Sequence, residues 1–457
     1  MVIRSVQTQN LDVNQCENGL NYSMRSQKKR GLRRSILAIG IGWPILGLTK
    51  EESDASDISL SVKMEPFFAK GDGFTDDWAA IDAAFRHASA TGTRLYFPKG
   101  QYVIRAKGPG AVLLGRSGVR ADFAPGAVLK LENPARYPLT CFFEHHRVED
   151  VIYIGLALDG GGEVGPNGFG ANNSRRIRCD GAHITGFRRD PRTGGGRGIT
   201  FQFNCQDVQI NNPSINNCTS GLDFHGRNNA RLENIAVNNP TISECEEAIS
   251  FYALADGNNH LNIGGDFQVT IKGGSARNCG KSTEALARGA NGLGGGVIIS
   301  ERGRSFSIQD FSIINESGYG KIGAVIRGSF SSSSVNIKYD GKCVALVMFS
   351  PASNLAPVIF NASSVSVGNL ISIESSGDFD YIIYSDNTHG ENLAVQNNIT
   401  IMCIAPVIAI MNLLAGKGDS NFLEIVSLIN SGVVRGHLTE LQKRGATFPT
   451  VSGIFSY

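Results

Sequence analysis

The chain has 457 residues, 41% of them hydrophobic, enough to bury a large core in one elongated domain or two ordinary ones. A formal net charge of +2 excludes the bulk field expected of a protein drawn to nucleic acid or to an acidic membrane surface. Its 55 glycines are too many for a helical protein and follow no collagen period. With Asn and Ser, they separate short apolar alternations, the pattern of many strands and many turns.

Residues 1–57 read as an N-terminal extension and export signal rather than as fold. Met24 opens a second possible start, followed by a basic stretch and an apolar run from Ile36 to Leu48. That run is short for a bilayer span and suits a signal peptide, so stable membrane insertion is not expected. Arg33-Arg34-Ser35-Ile36-Leu37 has the form of a twin-arginine signal, with an ordinary secretory signal or a membrane anchor as the alternative. No clean small-residue cleavage site follows, only a poor one near Ala55. The expected location is periplasmic or secreted.

Residues 58–110 form the next unit, organised around Gly71 to Ile104. Thr75 is placed to cap a helix, with Asp76 and Asp77 where the helix dipole is positive. Trp78, Ile81, Phe85 and Ala88 share one face, so the helix must lie on something apolar. Gly92 ends it, Leu95-Tyr96-Phe97 begins a strand, and Pro98-Lys99-Gly100 turns the chain. As a string, Gly71-Asp72-Gly73, Asp76-Asp77, Ala80-Ile81 and Pro98-Lys99-Gly100 with Tyr102 and Ile104 resemble the opening of the pectate-lyase-like, rhamnogalacturonase and epimerase-type β-helix proteins. The resemblance implies an all-β fold, a right-handed single-stranded parallel β-helix with this helix capping its N-terminal end.

Residues 111–405 carry an internal repeat that fits such a solenoid. Three short alternations end in Cys218, Cys245 and Cys279, and Glu316 holds the equivalent place one repeat later. Each is preceded by an alternating strand (around Val208, Ile235, Val269 and Ile308) and followed by another (around Leu222, Ile249, Ile299 and Val325). Three strands every 22 to 28 or so residues, with one longer insertion, signal stacked parallel coils. Cysteines recurring at one position of successive coils are expected inside as small hydrophobes and free thiols, with disulfides as the alternative. Residues 406–457, ending with a Leu438–Gly445 segment, are read as last coils and a cap over the open sheet edge.

Strand alternation assigns the faces. Taking Ile199, Leu222, Ile249 and Val297 as equivalent inward positions puts Phe201, Phe224, Phe251 and Ile299 inside too. Two outward columns remain: Thr200, Asp223, Ser250, Ile298; and Gln202, His225, Tyr252, Ser300, Arg327. Arg227, Arg302 and Arg304 fall just past strand ends. Such a strip suits a long polymer of hydroxylated or acidic sugars. Asp223 and His225, two apart, place a carboxylate and an imidazole on one face, both types able to move protons near neutral pH. The bland alternative is a pair of solvated surface residues. Glu246-Glu247 and Glu301 are further carboxylates at the margin of the strip.

The coil-by-coil layout is similar to that of polygalacturonase-type glycoside hydrolases, which carry Asn-x-Asp, Asp-Asp, Gly-His-Gly and Arg-x-Lys on successive coils. Asp223 matches the first loosely, Glu246-Glu247 stand for the second, Gly295-Gly296 supply no histidine, and Arg327 lacks the lysine. Elsewhere, Glu144-His145-His146 cannot hold a metal through both histidines, because on a strand they face opposite sides. Asp159 is read as a turn former. The glycine-rich segment ending at Gly296 lacks the Lys-Ser/Thr of a phosphate loop.

These residues predict an enzyme cleaving an extracellular, acidic polysaccharide, hydrolysis preferred over β-elimination, with an epimerase as third reading. Asp223, His225, Glu247 and Glu301 are the candidate catalytic residues; Gln202, Arg227, Tyr252, Arg302 and Arg327 the substrate-binding ones. No metal or cofactor is called for, save Ca²⁺ if the reaction is elimination. The partner is the polysaccharide; nucleic acid is excluded and the choice of monomer or trimer left open. A non-catalytic glycan-binding β-helix or adhesin is the alternative class.

Overall fold

The structure, a computed structural model, describes residues 59–132, 137–162, 164–189, 195–227, 231–254, 266–280, 296–301, 304–316, 322–327, 334–341, 343–350, 366–375, 379–385, 395–403, 409–413 and 425–430. The expected export signal, Arg302, the glycine-rich segment before Gly296 and the expected C-terminal cap after Asn430 lie outside the described residues.

Almost every described element is a strand, and every strand pairing is parallel. Through the middle of the chain each coil contributes three. Cys205–Asn211, Ser214–Asn216 and Ser220–Arg227 make one coil; Arg231–Asn238, Thr241–Ser243 and Glu247–Leu254 make the next. The third strands stack into an 11-stranded sheet running from Gly110–Leu114 to Ala409–Leu413, and the other two stack into a 21-stranded sheet. This is the parallel β-solenoid that the repeat predicts.

The corners between strands explain the recurrent Asn and Gly. Gly155, Gly181, Asn212, Asn239 and Gly273 turn the first strand into the second with left-handed backbone, φ between 50° and 67°. Gly and Asn are the residues that reach this region at least cost. At the second corner Asn217, Glu244 and Asn278 do the same, with φ of 54°, 52° and 53°. The next residue in each case is Cys218, Cys245 or Cys279, turned inward, buried and unbridged as predicted. Each thiol donates to a carbonyl two residues back, that of Asn216, Ser243 or Arg277, at 3.3–3.4 Å. Burial holds the Cys245 thiol well above its usual range.

Inside the third sheet, Phe201, Phe224 and Phe251 stack with ring centroids 5.7 and 4.9 Å apart, and Phe306 closes on Phe251 at 3.9 Å. These rings form the floor beneath the site described below.

The expected helix is present as Trp78–Thr91, but its start differs. Asp77, not Thr75, is the N-cap residue, and it makes no side-chain capping bond. Thr75 and Asp76 belong to the strand Asp72–Asp76, and the Thr75 hydroxyl donates to Asp72 instead. The Asp77 carboxylate is turned back to accept from the Lys70 and Gly71 amides at 2.6 and 2.9 Å. Ile81, Ala84, Phe85 and Ala88 are buried as the periodicity predicts, Phe85 stacking on Phe143 at 5.2 Å. Trp78 is only partly buried, its indole N–H donating to the Val112 carbonyl. Gly92, at φ 73°, ends the helix as expected.

One register assignment fails. The strand Gly296–Glu301 sits one residue away from its predicted alignment: Ile298, not Val297, stands opposite Ile249. Val297 and Ile298 are both buried, so the Val-Ile-Ile run carried no alternation from which the face could be read. The slip takes Ser300 out of the expected column and puts Glu301 into it.

Candidate functional site

The site lies on the third sheet, where Arg197–Gln202, Ser220–Arg227 and Glu247–Leu254 run side by side. Their register makes three columns. Arg197, Ser220 and Glu247 stand in line at the strand starts, then Thr200, Asp223 and Ser250, then Gln202, His225 and Tyr252. The last column continues to Asn172 and His146 on one side and to Glu301 and Arg327 on the other. It thus offers one polar residue per coil, about 4.8 Å apart, across seven coils.

The middle column is not the exposed strip that alternation predicts. Thr200, Asp223 and Ser250 are 2%, 0% and 0% exposed. They point away from the aromatic core, yet they are covered and bonded to one another. Thr200 Oγ1 donates to Asp223 Oδ2 at 2.8 Å, and Ser250 Oγ donates to Oδ1 at 2.9 Å. Ser220 and Ser250 hydroxyls lie 2.7 Å apart and extend the network to the first column. The strongest partner is a residue that the sequence did not single out: Arg197 Nε, 2.8 Å from Asp223 Oδ2. Burial pushes the Asp223 carboxyl up, but the Arg197 guanidinium, the His225 imidazole and the Thr200 hydroxyl outweigh it and hold the group well below the carboxylate range. Burial likewise opposes the Arg197 charge, and Asp223, Tyr252 and Glu247 more than restore it.

His225 is half-buried. Its Nε2 lies 3.3 Å from Asp223 Oδ2, close enough for an ion pair, but shielded and without an aligned hydrogen bond. Its ring faces that of Tyr252 at 5.4 Å. The Tyr252 hydroxyl donates to the Glu247 carboxylate, 3.0 and 3.2 Å from its two oxygens, and Glu247 is itself only 9% exposed. The structure therefore brings together Asp223, His225, Glu247 and Tyr252 and adds Arg197, while Gln202 is half-buried in the coil before. Glu301 and Arg327 share the outer column by backbone register, and Arg227 ends the Asp223 strand.

Asp223 cannot be the accessible acid or nucleophile that the sequence suggested. A carboxylate with no exposed surface and both oxygens engaged by Arg197, Thr200, Ser250 and His225 can position its partners, but it cannot meet a glycosidic oxygen.

The neighbouring motifs are structural. His145 is fully buried between the Gly170 carbonyl at 3.1 Å and the Tyr153 hydroxyl at 2.9 Å, and burial lowers its pKa to about 4. His146 is exposed, so the two histidines do face opposite sides. Asp159 accepts from the Gly161 amide at 2.8 Å and forms its turn. Among the described residues, no group of three or more His, Cys, Asp or Glu is placed to hold a metal ion, and no helix is long and apolar enough to cross a membrane.

Comparison with known proteins supports the fold. Residues 61–115 match the family model described as rhamnogalacturonase A/epimerase, pectate lyase-like. No curated protein matches the sequence. Among solved structures, the tailspike protein of E. coli bacteriophage HK620 superposes with a TM-score of 0.51 at 12% identity, over 83% of this chain and 68% of that one. The A-module of the mannuronan C-5 epimerase AlgE6 of Azotobacter vinelandii gives 0.50 at 16% identity, over 82% and 98%. ORF18 of Geobacillus virus E2 gives 0.46 at 14% identity, over 76% of this chain and 61% of that one. At these identities the likeness is one of fold: the chain has the pectate-lyase-like parallel β-helix that its opening stretch implies.

Proposed function

We propose that this chain is an exported enzyme acting on an acidic polysaccharide, and that its reaction begins by removing the proton at C5 of a uronate residue. The observation that carries the reading is the pairing of His225 with Tyr252 on the accessible column, backed by a buried anion at Asp223. An extended polymer laid along the solenoid axis would meet one polar residue per coil from His146 to Arg327. The nitrogen of His225 that faces Asp223 is held as the proton-bearing one, which leaves Nδ1 as the base. Breaking the C5–H bond leaves the electron pair on the carbon beside the sugar carboxylate. Tyr252 then returns a proton from the opposite face, giving the C5 epimer, or the electron pair expels the C4 oxygen, giving an unsaturated uronate and a chain break. Arg227 and Arg327, by their backbone positions, are the residues to neutralise the sugar carboxylates. Two proteins of this fold, an epimerase and a tailspike, frame that choice of polymer.

Hydrolysis, favoured by the sequence, is the second reading, and one observation favours it: Glu247, nearly buried and bonded by Tyr252, lies one coil before Glu301. Those two carboxylates, not Asp223, would then act as the acid and base. The test is incubation with polymannuronate, polygalacturonate and a neutral xylan in D₂O. Deuterium entering at C5, with or without new ultraviolet absorbance, is the expected result. New reducing ends with neither signal would overturn proton abstraction in favour of hydrolysis. Tight binding with no chemical change would make the chain a glycan-binding solenoid.

A further inference from the structure

Asp223 is the shared counterion of two cations-in-waiting. Arg197 Nε and His225 Nε2 both approach the same oxygen, Oδ2, at 2.8 and 3.3 Å, while Ser250 holds the other oxygen. Asp223 has no exposure, and the Arg197 and His225 side chains have 22% and 14%. In so little water, one unit of negative charge cannot fully compensate two positive ones. Arg197 is always charged, so it takes the first claim, and only the remainder acts on the imidazole.

We propose that Arg197 is a positioning residue that sets the pH at which His225 gives up its proton. The proposal rests on His225 as the proton-moving group in the reading above. The groups facing His225 are Asp223 on its own strand, Arg197 and Gln202 on the preceding coil, and Tyr252 and Glu247 on the following one. Tyr252 is tied to Glu247, and both also act on Arg197, so the anionic side of the site is shared through the guanidinium. With Arg197 present, a nearby positive charge opposes protonation of the imidazole and cancels part of the Asp223 field. Both effects keep His225 neutral, the form a base requires. Without Arg197, the whole Asp223 charge falls on His225, which must then hold its proton to higher pH.

The experiment is a titration of the histidine ring resonances by NMR in the intact protein, with no substrate. Against the wild type, Arg197→Met should raise the His225 midpoint by about one pH unit or more, and Arg197→Lys should return most of that shift. Asp223→Asn should move the midpoint the other way, since it leaves the Arg197 charge facing the ring unbalanced. Having opposite sign, it gives a second arm should Arg197→Met fold poorly. An unchanged midpoint in either folded variant would overturn the proposal, as would a fall in Arg197→Met. Because the readout is a titration, it stands or falls separately from the reaction. Should the wild type leave C5 of every polyuronate untouched, the assignment of the reaction fails while the charge coupling is still measured. In active protein, the same coupling predicts an alkaline displacement of the acid limb of kcat/KM in Arg197→Met, which a merely structural role would not produce.

Discussion

Replacing Phe224 with alanine tests whether the site is held by a local stack. Phe224 is fully buried, with Phe201 and Phe251 at 5.7 and 4.9 Å, and it lies between Asp223 and His225 on one strand. Truncating a buried Phe costs about 3–5 kcal/mol, and two stacked ring pairs put this position toward the upper end. In a solenoid each coil touches only its neighbours, so the loss should be confined to nearby coils. Amide exchange reads this directly: at about 1.4 kcal/mol per tenfold, amides of Leu222–Phe224 and Ile249–Phe251 should exchange roughly a hundred to several thousand times faster. Those of Tyr102–Ile104, in a distant coil, should keep wild-type protection. Phe224→Leu, which retains most of the volume, should recover much of the effect. A change below tenfold at Leu222, or an equal loss at Tyr102, would refute a local aromatic floor.

Tyr252→Phe removes the hydroxyl bonded to Glu247; activity should fall about a hundredfold or more with little change in melting temperature, as kinetics and calorimetry would show. Cys218, Cys245 and Cys279 should resist thiol reagents in the native protein and react once it is denatured; rapid native labelling of Cys245 would contradict the buried ladder. His145, lowered to about 4 by burial, is neutral in the folded protein. A depressed histidine contributes stability that is complete above the unfolded value of about 6.5 and lost as pH falls through the folded one. Between about pH 6.5 and 4 it should therefore remove roughly 3 kcal/mol, measured by denaturant unfolding, and His145→Gln should show a flatter profile over that window.

Much of the fold was legible because a solenoid repeats its own instructions. The cysteine at the second corner, preceded by Asn217, Glu244 or Asn278, set the coil length, and the Phe201–Phe224–Phe251 alternation set the inner face. Legibility failed where the local pattern was degenerate: Val297-Ile298-Ile299 has no polar partner to fix its phase, and the strand begins directly after a long insertion. It failed at Thr75 for another reason. A hydroxyl suited to an N-cap met a nearer acceptor in Asp72, and Asp77 found amides at Lys70 and Gly71. At the site, His225 and Tyr252 could be placed from alternation alone, because they share one column. Arg197 could not, since strict alternation assigns it the inward face along with Ile199. Yet the repeat held the clue. Once Ile199, Leu222 and Ile249 are equivalent, Arg197 and Glu247 share the position two residues earlier, opposite charges at a strand entrance two coils apart.

The burial of Asp223 is what turns the functional reading from a carboxylate pair to a histidine–tyrosine pair. A buried ion pair is poor value as stabilisation, because removing two charges from water costs several kcal/mol per ion and an apolar pair of similar volume is often at least as stable. Thr200, Asp223 and Ser250 occupy three successive coils at a covered position where apolar residues would meet no obstacle from the backbone. Stability alone therefore does not account for a carboxylate there. A fixed anion with both oxygens saturated does account for the neighbouring geometry: it orients His225 by one ring nitrogen and leaves the other facing Tyr252 on the next coil. Each coil contributes only one or two side chains, so a reactive pair in this fold must come from adjacent coils, with its alignment supplied from beneath. The Asp223–Arg197 network is that support, and the chemistry belongs to the column above it.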